Sequence, residues 1–246
     1  MATLLAEWGM LDNLLDTSGN GRHASANFTP TYIDGPHPHT RAAQFTTGTT
    51  QTITYGRTGL EPASGGVVTM GWVLVPDGTT PGYDGVMHKS RDGGGSTRGG
   101  SIILNERRLR PMSRWDGGVN YSEGIGPQAA PGTWMHFAHV DADDRYEWYV
   151  DGVSVGGGAR SGPFIPETWQ DHPWISGRYL SETASQAGLA ITGVRIFRGS
   201  LSDSEVVTWM NTPIAWRTTP ATRITTIAAE ARTTYINAET RTTEVT

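Results

Sequence analysis

The chain has 246 residues with nine Trp, eight Tyr and five Phe, enough for one large all-β domain or two small ones. Its net charge of −5 and pI near 5.8 give no basic footprint, so we expect no nucleic-acid partner. The absence of cysteine excludes disulfides and thiolate chemistry. No apolar run reaches the roughly 18 residues of a membrane span, so we expect no membrane partner.

Short segments with alternating apolar residues predict a series of strands. Val67–Val75 carries apolar residues on both faces, which predicts a central strand covered on both sides. Asp151-Gly152, between alternating segments, predicts a tight hairpin. The predicted strands are Leu4–Trp8, Leu11–Leu15, Arg41–Phe45, Gln51–Tyr55, Val67–Val75, Gly85–Lys89, Ser101–Leu104, Leu109–Trp115, Trp134–Asp141, Tyr146–Val150, Val153–Val155 and Leu189–Phe197.

One helix is predicted, over Leu201–Met210. Ser202 is placed to cap its N-terminus, and Glu205 three residues later completes a capping box. Asp203 and Glu205 lie at the positive end of the helix dipole. Leu201, Val206, Trp209 and Met210 form the apolar stripe by which the helix would pack on the strands.

Six segments, in order, resemble the laminin-G-like, concanavalin A-like jelly-roll family. They begin at Asp16-Thr-Ser-Gly-Asn20, Ala42-Ala-Gln-Phe45, Val68-Thr-Met-Gly-Trp-Val73, Gly132-Thr-Trp-Met-His-Phe-Ala138, Tyr149-Val-Asp-Gly-Val153 and Gly193-Val-Arg-Ile-Phe197. The resemblance implies an all-β fold, a two-sheet antiparallel jelly-roll sandwich over residues 1–212 with one short C-terminal helix. Residues 213–246 then form an extended repetitive tail. Because the family includes lectins, adhesion modules, glycosidases and virion proteins, the fold alone assigns no function.

Catalytic patterns are weak. Glycoside hydrolysis needs two carboxylates facing one cleft, and glucanases of this fold place them in a Glu-x-Asp-x-x-Glu strand that this sequence lacks. Asp141 and Asp143 have alternate spacing but read as part of a solvated loop. We therefore predict that the protein is not an enzyme, with a glycosidase as the disfavoured alternative.

Metal ligands are also sparse. The family often holds Ca²⁺ with its early turn, for which Asp16 and Asn20 match, but Gly193 stands where an acid often completes the site. His136 and His139 are three apart in a strand and should point to opposite faces. His37 and His39 could bind Zn²⁺ with Asp34, although a Pro-rich loop is the simpler interpretation. We expect no required cofactor, with Ca²⁺ as the one candidate.

Carbohydrate binding, the commonest activity of the family, needs an aromatic platform with nearby amides and acids. Two loops combine these groups, and their candidate residues are Trp115, Asp116, Asn120 and Tyr121 in the first and Trp169, Asp171 and Trp174 in the second. Either tryptophan of the second loop could instead cap the sandwich core. The strongest basic cluster, Arg107, Arg108 and Arg110 with Arg114, reads as a solvated strand face.

The tail repeats with a nine-residue period. Its copies start at Arg223, Arg232 and Arg241, after an irregular first copy at Arg217, and each combines Thr-Thr with an apolar residue. So short a period predicts an assembly contact rather than a catalytic core, ordered when the tail adds as a strand to a partner; a solvated tail is the alternative. The candidate assembly residues are Arg217, Arg223, Arg232, Tyr235 and Arg241.

The tail repeats and the signal-free, cysteine-free body resemble virion proteins of bacteriophages that infect actinobacteria. The resemblance implies a virion structural protein, a capsid decoration or minor tail module, made in the host cytoplasm. Its expected partners are other virion proteins and further copies of itself, bound through the tail. The alternative is an adhesion module that recognises cell-envelope glycans, and the two roles are compatible.

Overall fold

The structure is a computed structural model that describes residues 2–46, 51–55, 60, 65–76, 84–89, 99–114, 120–121, 126–159, 174–177, 188–214, 225–227 and 232–234. These residues form strands and one helix, α1 (Asp203–Met210). The strands are β1 (Thr3–Trp8), β2 (Ser25–Ala26), β3 (Thr31–Asp34), β4 (Arg41–Gln44), β5 (Ile53–Tyr55), β6 (Val67–Leu74), β7 (Asp84–Lys89), β8 (Gly99–Asn105), β9 (Arg108–Arg114), β10 (Asn120–Tyr121), β11 (Trp134–Asp141), β12 (Arg145–Val150), β13 (Val153–Ala159), β14 (Trp174–Ser176), β15 (Ala190–Arg198), β16 (Thr225–Ile227) and β17 (Arg232–Thr234).

Fifteen of these strands build two antiparallel sheets, which confirms the predicted all-β jelly-roll sandwich. Sheet A has the order β13-β12-β11-β6-β15-β4-β3, and β1 also pairs with β15. Sheet B has the order β10-β9-β8-β7-β14-β5-β2. The main core lies between the sheets, where its largest buried side chains include Trp8, Trp148 and Tyr55.

Sheet A is apolar on both faces at its centre. Val67 and Val73 of β6 belong to the core between the sheets. Val68 and Met70 of the same strand belong to a second cluster on the opposite face, where the buried Val206 of α1 covers them. This arrangement confirms the prediction that the Val67–Val75 segment is a central strand buried on both sides.

The Asp151-Gly152 turn joins β12 to β13 as predicted. Both residues have positive φ angles, +49° and +75°, as a two-residue type I′ hairpin requires. A Cβ on Gly152 would lie 3.1 Å from Val207 Cγ2 and 3.2 Å from Met210 Cε, so glycine also lets the turn approach α1 closely.

Helix α1 begins with the predicted capping box. The Glu205 amide donates to Ser202 Oγ at 3.3 Å, and the Ser202 amide donates to Glu205 Oε2 at 2.8 Å. The Tyr149 hydroxyl on β12 donates to Asp203 Oδ1 at 2.7 Å, which ties the first turn to sheet A. These bonds and the burial of Leu201 and Val206 fix the helix on the outer face of the sheet.

A buried guanidinium holds the other end of the helix. Arg195 of β15 has a side chain 4% exposed, and its Nε lies 2.7 Å from Glu7 Oε2 on β1. Its Nη1 donates to the Trp209 carbonyl at 2.9 Å and its Nη2 to the Thr212 carbonyl at 2.5 Å. One side chain therefore joins β1, β15 and the segment after α1, residues 211–214, which we call the strap.

The predicted strand at Leu11–Leu15 is wrong. Met10 and Asp12 have φ angles of +51° and +56°, which turn the chain out of the extended conformation, and Leu15 is exposed. Four strands of the sandwich were not predicted, β2, β3, β10 and β14, and each has only two to four residues. Segments this short contain too few positions to show an alternating pattern.

The chain divides into two units, Met1–Ala215 and Trp216–Thr246. In the second unit, β16 and β17 pair with each other as an antiparallel two-stranded sheet, with Thr226 opposite Thr233. These two strands come from successive copies of the repeat. Among all the described residues, no helix is long and apolar enough to cross a membrane.

Replacing Arg195 with Met tests the buried ion pair. We expect the free energy of unfolding to fall by about 3–5 kcal/mol, because the change leaves the largely buried Glu7 carboxylate without its cation. Arg41→Met is the matched control: Arg41 forms surface ion pairs with the exposed Asp12 and Asp34, so its replacement should lower the free energy of unfolding much less. Urea denaturation measures both values, and equal losses would contradict the assignment.

Candidate functional site

The early turn at Asp16 is held by main-chain hydrogen bonds. Asp16 Oδ1 accepts from the amides of Glu7 at 3.0 Å and Ser18 at 2.9 Å, and Oδ2 accepts from the amide of Arg22 at 2.8 Å. Burial raises the pKa of Asp16, but the hydrogen bonds from Ser18, Arg22 and Glu7 outweigh it and leave the pKa lowered. The carboxylate therefore fastens the turn to β1 in its ionised form.

The other predicted calcium ligand, Asn20, is exposed, and its amide nitrogen donates to the Leu5 carbonyl at 2.9 Å. Within the part of the chain that the structure describes, no group of three or more His, Asp and Glu side chains converges on a metal position. One carboxylate that already accepts three N–H bonds and one exposed amide fall short of the six to eight oxygens that Ca²⁺ prefers. The described residues of this turn do not fit a calcium ion.

The two predicted glycan loops lie mainly outside the described residues. Trp115, Asp116, Trp169 and Asp171 fall in segments that the structure does not describe. Asn120 and Tyr121 form β10, the edge strand of sheet B, opposite Arg114 and Ser113 of β9. The two strands that flank the first loop, β9 and β10, therefore lie together at one edge of the sandwich.

Trp174 lies elsewhere in the same sheet. It begins β14, pairs with Tyr55 and Lys89, and belongs to the core with 3% of its surface exposed. A tryptophan so buried cannot present its ring to a sugar, so this placement fits the core alternative. Since β14 stands four strands from β10, about 19 Å at the usual spacing, the two candidate loops leave the sheet at separate places.

Three arginines lie where β8 turns into β9, at the end of β9 away from the residues that pair with β10. Glu106 and Arg107 form the turn with φ angles of +50° and +60°, values that non-glycine residues adopt at a cost of about 1–2 kcal/mol each. Arg108 lies beside Gln128, with Nη2 3.5 Å from Oε1. The Nε atoms of Arg107 and Arg110 are buried without a hydrogen-bond partner. We call Arg107, Arg108, Arg110 and Gln128 the basic edge.

The histidines of β11 point to opposite faces, which confirms the prediction from their spacing. His139 stacks on Trp148 in the core, with ring centroids 3.5 Å apart. His136 lies on the outer face, 5.2 Å from the Trp72 ring. The two imidazole rings therefore cannot bind the same metal ion.

A cluster on the outer face of sheet A was missed by the sequence reasoning. Trp72 is flanked by His37 at 5.0 Å and by His136 at 5.2 Å, both edge-on. A shallow depression lies here between Trp72, His37, Arg195 and Ile214 of the strap. These residues of the depression are up to 177 positions apart in the chain, so no local sequence spacing could have predicted it. The one sequence feature that pointed to it was Arg195, a charged residue inside the otherwise apolar β15.

The acidic side chains on and beside β11 and β12 do not form the carboxylate pair that a glycosidase needs. Asp141 ends β11 and is 1% exposed, whereas Asp143 is exposed on the loop that follows. Glu147 forms an ion pair with Arg145 at 2.7 Å. Among the described residues, the candidate pair Asp141 and Asp143 does not open into one cleft.

The outer-face histidine predicts a pH dependence of stability. Burial, then the charges of Arg195 and His37, lowers the pKa of His136 from 6.5 to about 3. Between these values the unfolded chain binds a proton that the folded chain does not. The free energy of unfolding should therefore fall as the pH falls below 6.5, by up to about 1.4 kcal/mol per pH unit.

Chemical denaturation between pH 7 and pH 4 measures that slope. His136→Asn should flatten it, whereas His39→Asn, at an exposed position where asparagine tolerates the +61° φ angle, should leave it unchanged. An identical slope in wild type and His136→Asn would show that another group causes the acid sensitivity.

Comparison with solved structures finds the same sandwich in several proteins. Domain 4 of AbnA, an extracellular arabinanase of Geobacillus stearothermophilus solved in complex with arabinotriose, is 19% identical, with a TM-score of 0.62 over 85% of this chain and 98% of that domain. The binding domain of Paraclostridial Mosquitocidal Protein 1 is 13% identical, with a TM-score of 0.65 over 85% of this chain and 52% of that one. The binding domain of botulinum neurotoxin serotype D is 9% identical, with a TM-score of 0.64 over 85% and 51%. These likenesses show the fold.

No curated protein sequence matches the chain. A family model, however, matches residues 47–207, which is more than half of the chain. That segment runs from the region before β5 into α1 and so contains most of both sheets. The protein belongs to the concanavalin A-like lectin/glucanase superfamily, as a lectin-like jelly-roll domain of the laminin-G type.

Proposed function

We propose that the protein is a carbohydrate-binding module carried on a bacteriophage particle, as a capsid decoration or a minor tail component. The observation that carries the binding role is the lectin-like sandwich, complete with its two sheets and helix. The related arabinanase domain was solved with a bound trisaccharide. By analogy, the ligand of this chain is a glycan of the bacterial cell envelope.

The proposed binding surface is the β9–β10 edge of sheet B. Trp115, Asp116, Asn120 and Tyr121 lie in or beside the segment that joins these strands, and together they supply aromatic rings, an amide and a carboxylate. The basic edge lies at the other end of β9 and adds guanidinium donors along the same edge of sheet B. Because guanidinium groups bind carboxylates and phosphates strongly, this composition favours acidic envelope glycans. We propose that Trp169 and Asp171 make a second contact with the glycan.

The proposed display on a particle is supported by the tail. The nine-residue repeat forms a unit separate from the sandwich, and its strands β16 and β17 pair with each other. A two-stranded hairpin is marginally stable in water by itself, so a larger partner would stabilise it. We propose that other virion proteins or sister copies supply this partner, through Arg217, Arg223, Arg232, Tyr235 and Arg241.

We propose binding rather than catalysis. Support comes from the placement of Asp141 in the core and of Glu147 in an ion pair, which takes both away from acid or nucleophile roles. Release of reducing sugar from an envelope polysaccharide would contradict this proposal.

Glycan binding is tested on an array of envelope polysaccharides with acidic and neutral members. We expect the wild type to bind acidic members. Trp115→Ala should weaken binding about tenfold, because an aromatic contact is worth on the order of 1 kcal/mol. Arg110→Gln should weaken binding to acidic members selectively, while Arg41→Gln, at a surface ion pair on sheet A, should bind as wild type. An array on which the wild type binds nothing refutes the lectin role.

Deletion of residues 217–246 tests the role of the tail. The sandwich has its own core, so we expect its melting temperature to change little. Incorporation into particles should be lost, because the anchoring strands are gone. Western blotting of purified particles from a complemented phage deletion would measure incorporation, and normal incorporation of the truncated chain would contradict the anchoring role.

A further inference from the structure

One edge of sheet A ends at β13, beyond which the described residues place no further strand. Strand β13 has seven residues, Val153–Ala159, and pairs on one side with β12. Five of its residues are exposed and two are half-buried. In an edge strand, the amide and carbonyl groups that point away from the sheet can pair with a further strand.

The other described edges of the sandwich are protected. Strand β1 pairs with β15 on one side, and on its other side the Glu7 amide donates to Asp16 Oδ1 while the Glu7 carbonyl accepts from the Thr17 amide. Strands β2 and β10 of sheet B have only two residues each. Strand β3, at the opposite edge of sheet A, has four residues and ends at Asp34, which pairs with Arg41. Strand β13 contains neither a charged residue nor a proline, which are the usual means of blocking an edge.

Glycines make the end of β13 flat. A Cβ on Gly157 would lie 2.6 Å from the Tyr146 carbonyl oxygen, and one on Gly158 would lie 3.0 Å from the Tyr146 hydroxyl. The close approach of β12 therefore explains these glycines. A consequence is that half of β13 offers main chain without side chains in the way of an incoming strand.

An exposed apolar side chain lies at the start of the same strand. Val153 is 66% exposed and pairs with Val150, a residue of the core between the sheets. Paired residues of neighbouring strands share a face, so Val153 lies on the side of sheet A that faces sheet B. An incoming strand that carries an apolar residue opposite Val153 could bury both side chains.

We infer that β13 accepts a repeat strand from the tail of a second copy of this chain. Each repeat has Thr-Thr followed closely by an apolar residue, as at Thr225-Thr-Ile227 and Thr233-Thr-Tyr-Ile236. Because β16 and β17 pair with each other, the hairpin would present one of these three-residue strands to part of the seven-residue β13. The threonines and isoleucine have high strand propensity, and they match an uncharged acceptor.

This inference rests on the proposed role of the tail in assembly and adds the surface on which the tail docks. Main-chain pairing would supply the affinity, and burial of Val153 would set the register. The chain then links copies in series, since each copy has both an acceptor edge and a tail.

The absence of cysteine from the natural chain makes the pairing testable by disulfide trapping. Full-length Ser154→Cys, on β13, is mixed with a tagged full-length chain carrying Thr225→Cys or Thr226→Cys. Two neighbouring tail positions are used because successive side chains of a strand point to opposite faces. Thr31→Cys, exposed on β3 at the opposite edge, is the matched control. Melting temperatures establish that every variant is folded.

Under mild oxidation we expect the Ser154 mixture to yield at least about tenfold more heterodimer than the Thr31 mixture, because paired strands hold the two thiols at high effective concentration. Equal yields overturn the inference. If the yields are equal but deletion of the tail still abolishes incorporation into particles, the docking surface is wrong and the anchoring role stands.

Discussion

The fold depends on one constraint: the central strands of sheet A are apolar on both faces, and each face must be covered from solvent. Sheet B covers the face that carries Val73 and Phe137. Helix α1 covers Val68, Met70 and Val140 on the other. A helix of eight residues is too short to be stable by itself, so it must be fixed to the sheet at both ends. Asp203 with Tyr149 does so at the start, and Arg195 does so at the end.

Features that depend on neighbours in the chain could be predicted from the sequence. The Asp151-Gly152 hairpin and the Ser202–Glu205 capping box each involve residues within a few positions, so the local pattern contains all the partners. The two-sided burial of β6 follows from its own alternation. Leu11–Leu15 failed because two residues with positive φ, neither of them glycine, bend a segment whose apolar spacing looks extended.

The candidate site could be predicted only in part, because its chemistry comes from distant residues. Arg195 and Glu7 are 188 positions apart, and the sequence around either residue does not predict that the two form an ion pair. Asp16 was assigned to calcium by its motif, yet its oxygens accept three main-chain amides. Trp174 illustrates the remaining difficulty: an aromatic beside acids and amides suits a sugar platform and a core equally well until the strand pairing is known.

A sandwich of two open sheets has edge strands, whereas a closed barrel has none. In this protein the edge strands of the two sheets differ in chemistry. The edge of sheet B formed by β9 and the short strand β10 carries guanidinium groups at the start of β9, which suits recognition of an acidic ligand by side chains. The long, uncharged and glycine-rich β13 suits recognition by main chain. Side-chain recognition selects a ligand, whereas main-chain recognition accepts any extended segment of suitable shape, as a repeat requires. Specificity for the tail must then come from the exposed Val153, which only a strand with a correctly spaced apolar residue can bury.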